Sequence, residues 1–214
     1  IQAPDELTDK DFAHWCMLCG KVTDEAATGL LPIYQWQRAQ QWFTEHGTAE
    51  EQAQIDLYLG RAYVEDGEYD KAMQIYADAL QLAKEHQAYN VAGYICAYMA
   101  DLYGFRDITS ECLKKREEAC EFFKKAENYK SYAYSLKDLA GEWAILDSFA
   151  CTIPLLQKAD SISQLLHKKN LTAAIANAFA LIYEMQGKYN EAETAYLKAI
   201  STRSEESYKD SIGL

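Results

Sequence analysis

Apolar and polar positions along the chain follow a pattern that returns every 40 residues. Small residues show it most clearly, and three columns of them have this spacing: Ala39, Ala79, Ala119, Ala159 and Ala199; Gly20, Gly60, Ala100, Ala140 and Ala180; and Ala13, Ala53, Gly93, Ala133 and Ala173. Positions three, four and seven apart share one face of a helix, and small residues on that face let two helices approach closely. The pattern therefore predicts an all-α fold of five consecutive helical hairpins.

Local signals indicate where some of these helices begin and end. In the second copy, the sequence Thr48-Ala-Glu-Glu51 is typical of a capping box that opens a helix. Gly67 can supply the left-handed turn that ends the same helix. In the fifth copy, Asn170 and Gly187 have the corresponding roles of N-cap and helix stop.

Proline positions test the hairpin pattern, because proline inside a helix costs about 3 kcal/mol or more. Pro32 falls where the second helix of the first copy can begin. Pro154 falls several residues after Phe149, so the second helix of the fourth copy is predicted to start late, near Thr152, or to be kinked.

The repeat also gives the expected limits of the hairpins. Residues 1–7 are predicted to be an extended lead-in, and residues 204–214 a polar C-terminal tail that frays. Between them, a single solenoid at 8–203 is divided into hairpins at about 8–47, 48–87, 88–127, 128–168 and 169–203.

The residues of the second and fifth copies resemble the tetratricopeptide repeat (TPR). The motif is L-G-x-x-Y followed by G-x-Y-x-x-A-x-x-x-Y-x-x-A, and it matches Leu59 to Ala79 and Phe179 to Ala199 well. The other copies depart from it, since Arg116 and Leu156 replace an aromatic residue and Pro32 replaces alanine. The step of 40 also exceeds the usual length of about 34 residues, which implies longer helices.

This resemblance implies a TPR-like α-solenoid, a right-handed superhelix of about five antiparallel hairpins whose first helices line a concave face. It also implies a non-catalytic scaffold that binds a protein or an extended peptide. The predicted groove residues are Tyr58, Arg61, Tyr94, Tyr98, Asp101, Phe105, Tyr134 and Lys137. Further first-helix positions on the expected face are Met17, Lys21, Asp138, Ala174, Asn177 and Leu181. The alternative for the tyrosines is that they pack against the neighbouring repeat.

Charge and composition narrow the class of partner. The net charge is −12, the pI is about 4.8, and no segregated basic patch occurs, so the chain is predicted not to bind nucleic acid. No apolar stretch approaches the roughly 18 to 20 residues of a membrane-spanning helix, so this segment is predicted not to insert into a membrane. The expected partner is therefore a protein or a peptide.

Candidate chemistry is sparse. His14-Trp-Cys16-Met-Leu-Cys19 contains a CxxC sequence with a nearby histidine, but a structural zinc site usually needs a second pair, and the chain has no other CxxC. Cys16 and Cys19 also fall in columns occupied by core residues, which favours packing. No nucleophile and base recur together, and no glycine-rich phosphate loop is present. The sequence predicts neither an enzyme, nor a metal site, nor a cofactor.

Two further hypotheses concern context. In one, the solenoid is a sensor or regulatory segment of a longer membrane-anchored or signalling protein. In the other, terminal repeats associate with a second copy of the chain. The spacing and the sequence Asp147-Ser-Phe149 resemble repeat proteins that bacteria tether to the cell envelope, which favours the periplasmic side, whereas free cysteines favour the cytoplasm.

Overall fold

A computed structural model describes the backbone of residues 7–26 and 31–212 and the side chains of residues 7–22 and 31–203. Within these residues there are ten α-helices and no strands, which confirms the predicted all-α class. The helices are α1 (Asp9–Ala26), α2 (Ile33–His46), α3 (Ala49–Glu65), α4 (Tyr69–Glu85), α5 (Tyr89–Phe105), α6 (Thr109–Lys125), α7 (Tyr129–Ile145), α8 (Phe149–Leu165), α9 (Lys169–Met185) and α10 (Tyr189–Ile212).

The step of 40 residues consists of two equal steps of 20. Each helix from α3 to α9 has 17 residues, and three residues connect it to the next helix. Each of these connections contains one residue with positive φ: Gly67, Gln87, Asp107, Glu127, Asp147, His167 and Gly187. The turns within hairpins and the turns between hairpins therefore have the same backbone conformation.

A hydrogen bond that all seven turns share explains why five of them form without glycine. The residue after each positive-φ position donates its N–H to the carbonyl five residues earlier, as from Glu68 to Tyr63 at 2.8 Å and from Ala88 to Ala83 at 2.8 Å. This is the Schellman arrangement, which satisfies carbonyls that the helix end leaves free. It offsets the strain of positive φ at Gln87, while Gly67 and Gly187 adopt the predicted left-handed conformation without strain.

The predicted helix starts are confirmed in part. Thr48 Oγ1 accepts a hydrogen bond from the Glu51 N–H at 3.3 Å, and Glu51 Oε2 accepts one from the Thr48 N–H at 2.9 Å, which is the predicted capping box. The prediction for Asn170 is wrong, because α9 already begins at Lys169 and Asn170 lies in its first turn.

The prolines and chain ends also differ in part from expectation. Pro32 is the N-cap of α2, as predicted. Pro154 lies inside α8, which begins at Phe149, so the predicted late start is wrong. A proline near the start of a helix removes a single donor, and the burial of Thr152 and Leu156 stabilises the turn around it. Helix α10 continues to Ile212, beyond the predicted boundary at 203, whereas residues 1–6 of the lead-in lie outside the described residues.

The chain forms two compact units, residues 1–115 and 116–214. In the first unit, the small-residue columns lie where two helices meet. Gly20 lies against the ring of Tyr58, and Gly60 lies against the ring of Tyr76, so closely that a Cβ atom at either glycine would overlap the ring. Both tyrosines are almost completely buried, since the small column is what makes room for them.

The second unit uses the same columns with different partners. Ala119, Ala140 and Ala159 have no exposed surface, and Leu156 fills the place that an aromatic residue has in the first unit. Arg116 lies 40 residues after Tyr76 and so also occupies this aromatic column. It forms an ion pair with Glu142, and its Nη2 lies 3.5 Å from Glu142 Oε1. The two side chains are only 12% and 19% exposed, so this pair lies largely inside the helix packing.

A half-buried carboxyl in the first unit makes stability depend on pH. Asp56 falls in the column of the buried residues Cys16 and Cys96, and its Oδ1 accepts a hydrogen bond from Gln40 Nε2 at 2.7 Å. Burial is the main cause that raises the pKa of Asp56 to about 6, with a smaller contribution from Asp78. The ordinary value is about 3.9. Between about pH 4 and 6, the folded state therefore holds a proton that the unfolded chain has released.

We expect Asp56→Asn to stabilise the protein at neutral pH but not at acid pH. Because the folded pKa of Asp56 is raised, its protonated form supports folding fully below about pH 4, and this contribution is lost as the pH rises through about 6. Asparagine keeps the acceptor for Gln40 without an ionisable group. Relative to wild type, the free energy of unfolding of the variant should rise by about 2 kcal/mol from pH 4 to pH 7. Urea unfolding at both pH values measures this change.

The matched control is Glu117→Gln, which removes an exposed carboxylate on α6. Its effect on the free energy of unfolding at pH 7 should stay within about 0.5 kcal/mol, as for most surface substitutions. A difference between Asp56→Asn and wild type that does not change with pH would show that burial does not raise the pKa of Asp56.

Candidate functional site

One face of the first helices of the first unit carries most of the predicted site residues. His14, Gln54 and Tyr94 are 40 residues apart on α1, α3 and α5, and so are Lys21, Arg61 and Asp101. Residues separated by the repeat step have equivalent places in successive hairpins. This face, defined by these six residues, is called the first-helix face below.

A cavity of about 280 Å³ opens between α1 and α3 on the first-helix face. Its lining comprises His14, Met17, Leu18, Lys21, Phe43, Glu50, Glu51 and Gln54. The floor is apolar, because Met17 and Phe43 are 7% and 1% exposed and lie below the rim. The rim is charged. The predicted positions Met17 and Lys21 therefore lie on the wall of one cavity.

The rim is held in place by local hydrogen bonds. His14 Nδ1 lies 2.7 Å from the carbonyl oxygen of Lys10, and its ring packs 5.0 Å from the ring of Trp42. The hydrogen bond from the backbone N–H of Thr48 is the main cause that lowers the pKa of Glu51, with smaller contributions from His14 and Lys21. The cavity can thus accept an apolar side chain while charges of both signs contact the polar groups beside it.

A stripe on α5 continues the first-helix face. Tyr94, Tyr98, Asp101 and Phe105 lie four, three and four residues apart, which places them in a row along one side of the helix. The guanidinium carbon of Arg61 lies 5.0 Å from the ring centroid of Tyr98, a cation–π distance. Asp101 and Phe105 are exposed, and Tyr94 is half-buried. The stripe offers aromatic surface next to charges of both signs.

The prediction that Tyr58 lines an open groove is wrong. Tyr58 is 1% exposed, its ring centroid is 5.4 Å from that of Trp36, and it fills the space beside Gly20. Its register position faces the preceding hairpin, so the alternative interpretation of packing applies to it. Tyr98 has the equivalent position and stacks on Tyr76 at 6.3 Å, but it stays half-buried.

The remaining predicted site residues lie in the second unit. Tyr134 and Lys137 are half-buried on α7, and Lys137 Nζ forms an ion pair with Asp138 Oδ1. On α9, Asn177 and Leu181 are exposed.

The cysteines of the CxxC sequence are core residues, as their columns predicted. Cys16 has no exposed surface and Cys19 is 6% exposed. Burial raises the pKa of the Cys16 thiol to about 12. All six cysteines are free thiols, and Cys151 is the exposed one. Among the described helices, none is both long and apolar enough to cross a membrane.

Some cavity residues were not anticipated from the sequence. Leu18 is 62% exposed, whereas its equivalents Tyr58 and Tyr98 are buried and half-buried, because a described hairpin precedes α3 and α5 but not α1. Phe43 belongs to a second helix and reaches the cavity floor from below. A second cavity of about 280 Å³ lies on α4, α5 and α6, where Leu80 and Met99 are surrounded by long polar side chains.

Family models match two parts of the chain. Both are described as tetratricopeptide repeats, and they match residues 59–87 and 172–206, which are the two copies that resemble the motif best. No curated protein matches the sequence significantly.

Solved structures share the fold over nearly the whole chain. BtubC (BKLC) from P. vanneervenii is 14% identical, covers 94% of this chain and 93% of its own, and has a TM-score of 0.67. Apo RapI is 14% identical, covers 95% and 87%, and also has a TM-score of 0.67. Nearly identical TPR-like repeats assigned to a kinesin light chain of Podosopora anserina are 14% identical, cover 92% and 94%, and have a TM-score of 0.64.

The repeat columns, the all-helical hairpins and these matches agree. The chain is a TPR-like helical repeat protein with an α-solenoid fold of the kind that typically serves as a scaffold for protein interactions.

Proposed function

We propose that the first-helix face of residues 1–115 binds an extended peptide segment of a partner protein. The observation that carries the proposal is the cavity between α1 and α3, which combines the buried floor of Met17 and Phe43 with a charged rim. Peptide-binding surfaces take their affinity from a few desolvated apolar anchors and their register from polar groups around them. The cavity supplies both features within one unit.

The α5 stripe extends this surface in the direction of the repeat. Tyr94 and Phe105 offer aromatic area that loses little side-chain entropy on binding, while Arg61 and Asp101 can pair with peptide charges or backbone groups. An apolar peptide residue in the cavity would therefore be followed by residues that contact alternating charges. Such a partner is a peptide with one large apolar anchor and mixed polar neighbours.

The proposal is tested by selecting peptides from a random library on the wild-type chain and measuring their affinities by fluorescence anisotropy. Lys21→Glu changes the cavity rim, and Tyr94→Ala shortens the aromatic stripe, without altering a fully buried residue. We expect each variant to weaken binding at least about tenfold, which corresponds to about 1.4 kcal/mol.

Matched controls carry the same changes on other surfaces. Lys124→Glu reverses a charge on α6, and Tyr129→Ala truncates a tyrosine that is 47% exposed. Both should bind the peptides as wild type does. Unchanged affinity in folded Lys21→Glu and Tyr94→Ala would exclude this face as the binding site, and a library that yields no binder would exclude peptide binding.

A further inference from the structure

Successive hairpins of the first unit meet through one recurring pair of residues. Trp36 on α2 packs against Tyr58 on α3 with ring centroids 5.4 Å apart, and Tyr76 on α4 stacks on Tyr98 on α5 at 6.3 Å. The two pairs are 40 residues apart, so they occupy the same positions of the repeat. A second-helix residue thus contacts a first-helix residue of the following hairpin.

The first helix of a hairpin offers three neighbouring positions to the hairpin before it. On α3 these are Ile55, Tyr58 and Ala62, which belong to one core cluster with Trp36 and are at most 4% exposed. The equivalent residues on α1, 40 positions earlier, are Trp15, Leu18 and Val22. Leu18 is 62% exposed and Val22 is 51% exposed. These three residues are called the N-terminal end face.

The second helix of the last hairpin shows the complementary surface. On α4, Tyr76 and Leu80 are 0% and 5% exposed because the following hairpin covers them. The equivalent residues on α10, 120 positions later, are Tyr196 and Ile200, which are half-buried and 62% exposed. Tyr189 at the start of α10 is 71% exposed, whereas its equivalent Tyr69 contacts Phe105 with ring centroids 5.1 Å apart. Tyr189, Tyr196 and Ile200 form the C-terminal end face.

We propose that the chain associates head to tail, with the N-terminal end face of one copy packed on the C-terminal end face of another. In this arrangement Leu18 of one copy takes the place that Tyr58 has against Trp36, and its partner is Tyr196. The interface continues the packing register that the chain already uses between its own hairpins. It is heterologous, so each added copy leaves one end face of each kind available.

The composition of the two end faces favours a second copy over a charged partner. The six residues that define the two faces carry no charge at neutral pH, although the chain as a whole carries a net charge of −12. Two carboxylates adjoin the C-terminal end face, since Glu193 lies between Tyr189 and Tyr196 on α10 and Tyr196 donates a hydrogen bond to Glu184 Oε2 at 2.9 Å. Packing the two faces together therefore buries mainly apolar surface, with these carboxylates at its edge. The net charge opposes the approach of two copies at long range, so association should strengthen when salt screens it.

The test uses sedimentation-velocity measurements on the 214-residue chain over a concentration series, at low and moderate salt. Leu18→Glu places a charge on the N-terminal end face, and Ile200→Glu places one on the C-terminal end face. Both side chains are more than half exposed in the single copy, so folding should be unaffected, which circular dichroism and thermal unfolding verify. Leu165→Glu, at a leucine that is 80% exposed on neither end face, is the matched control.

We expect the wild type and Leu165→Glu to associate in a concentration-dependent way and each end-face variant to remain monomeric. A mixture of Leu18→Glu and Ile200→Glu should form a dimer and nothing larger, because each variant retains one intact face that fits the other. A wild type that stays monomeric overturns the proposal. So does association that survives either variant, or a mixture that gives no dimer, since symmetric pairing of identical faces cannot be restored by mixing. Leu18 also lines the cavity of the proposed groove, so Ile200→Glu on α10 is the variant that separates the two proposals. It should lose self-association and keep the peptide affinity of wild type.

Discussion

Gly60→Ala is expected to lower the free energy of unfolding by about 2 kcal/mol, although alanine is the better helix former. Gly60 lies in the middle of α3, and a Cβ atom there would overlap the ring of Tyr76. Tyr76 has no exposed surface and packs on Tyr98, so its ring has no free direction in which to move. The added methyl group therefore forces strain into the packing of α3 against α4.

Gly141→Ala is the matched control for this prediction. Gly141 is also a helical glycine, in α7, but apart from its chain neighbours and the adjacent backbone of α7, no described atom lies within 4 Å of the place that its Cβ would take. Without a clash, only helix propensity acts, and the substitution should raise stability by up to about 1 kcal/mol. Chemical denaturation measures the free energy of unfolding of both variants, and we expect changes of opposite sign. A stabilised Gly60→Ala would show that the contact with Tyr76 does not limit the position.

Another repeat of the chain already combines alanine at the position of Gly60 with a smaller residue at the position of Tyr76. Two repeats after Gly60 and Tyr76 stand Ala140 and Leu156, both completely buried. Tyr76→Leu alone should cost about 2 to 4 kcal/mol by leaving a cavity. In the Gly60→Ala background it should cost at least about 1 kcal/mol less, because the methyl group fills part of that space. Additive effects of the two substitutions would contradict direct contact between the two positions.

The columns of small residues were sufficient to predict the helical hairpins because close helix packing leaves a strong mark on sequence. The left-handed turns left a weaker mark. Gly67 and Gly187 are recognisable, but the equivalent turns at Gln87 and His167 are not, since the Schellman hydrogen bonds allow residues other than glycine there. Turn conformation was therefore fixed by hydrogen bonding that the residue type does not reveal.

The periodic pattern selected a helix face for the candidate site but did not separate its exposed residues from its buried ones. Tyr58 lies four residues after Gln54 and three before Arg61, so it shares their stripe on α3 and yet is buried, whereas its equivalent Tyr98 stays half-buried. Residues at this spacing share one face of a helix, so a periodic pattern alone does not separate a groove residue from a packing residue. Separating them required the contact between Tyr58 and Trp36.

Charged residues inside the repeat packing give the other large expected effect. Arg116→Leu should lower the free energy of unfolding by about 3 kcal/mol, because it leaves Glu142 largely buried without the guanidinium that now lies 3.5 Å away. The leucine itself fits, since Leu156 occupies the same register position one repeat later. The loss therefore comes from the carboxylate and not from the packing.

A double substitution separates these two causes. One repeat after Arg116 and Glu142 stand Leu156 and Ile182, which lie together in the core of the second unit. Arg116→Leu with Glu142→Ile reproduces that pair and should restore stability to within about 1 kcal/mol of wild type, because replacing a buried ion pair by well-packed apolar residues is often neutral or stabilising. Urea unfolding at pH 7 measures all three proteins.

The stability of the double variant decides between the two causes. If it is no more stable than Arg116→Leu alone, lost contacts of the arginine side chain, and not the isolated charge of Glu142, destabilise the protein. The position of Arg116 in the aromatic column would then be a matter of shape, with the ion pair contributing little.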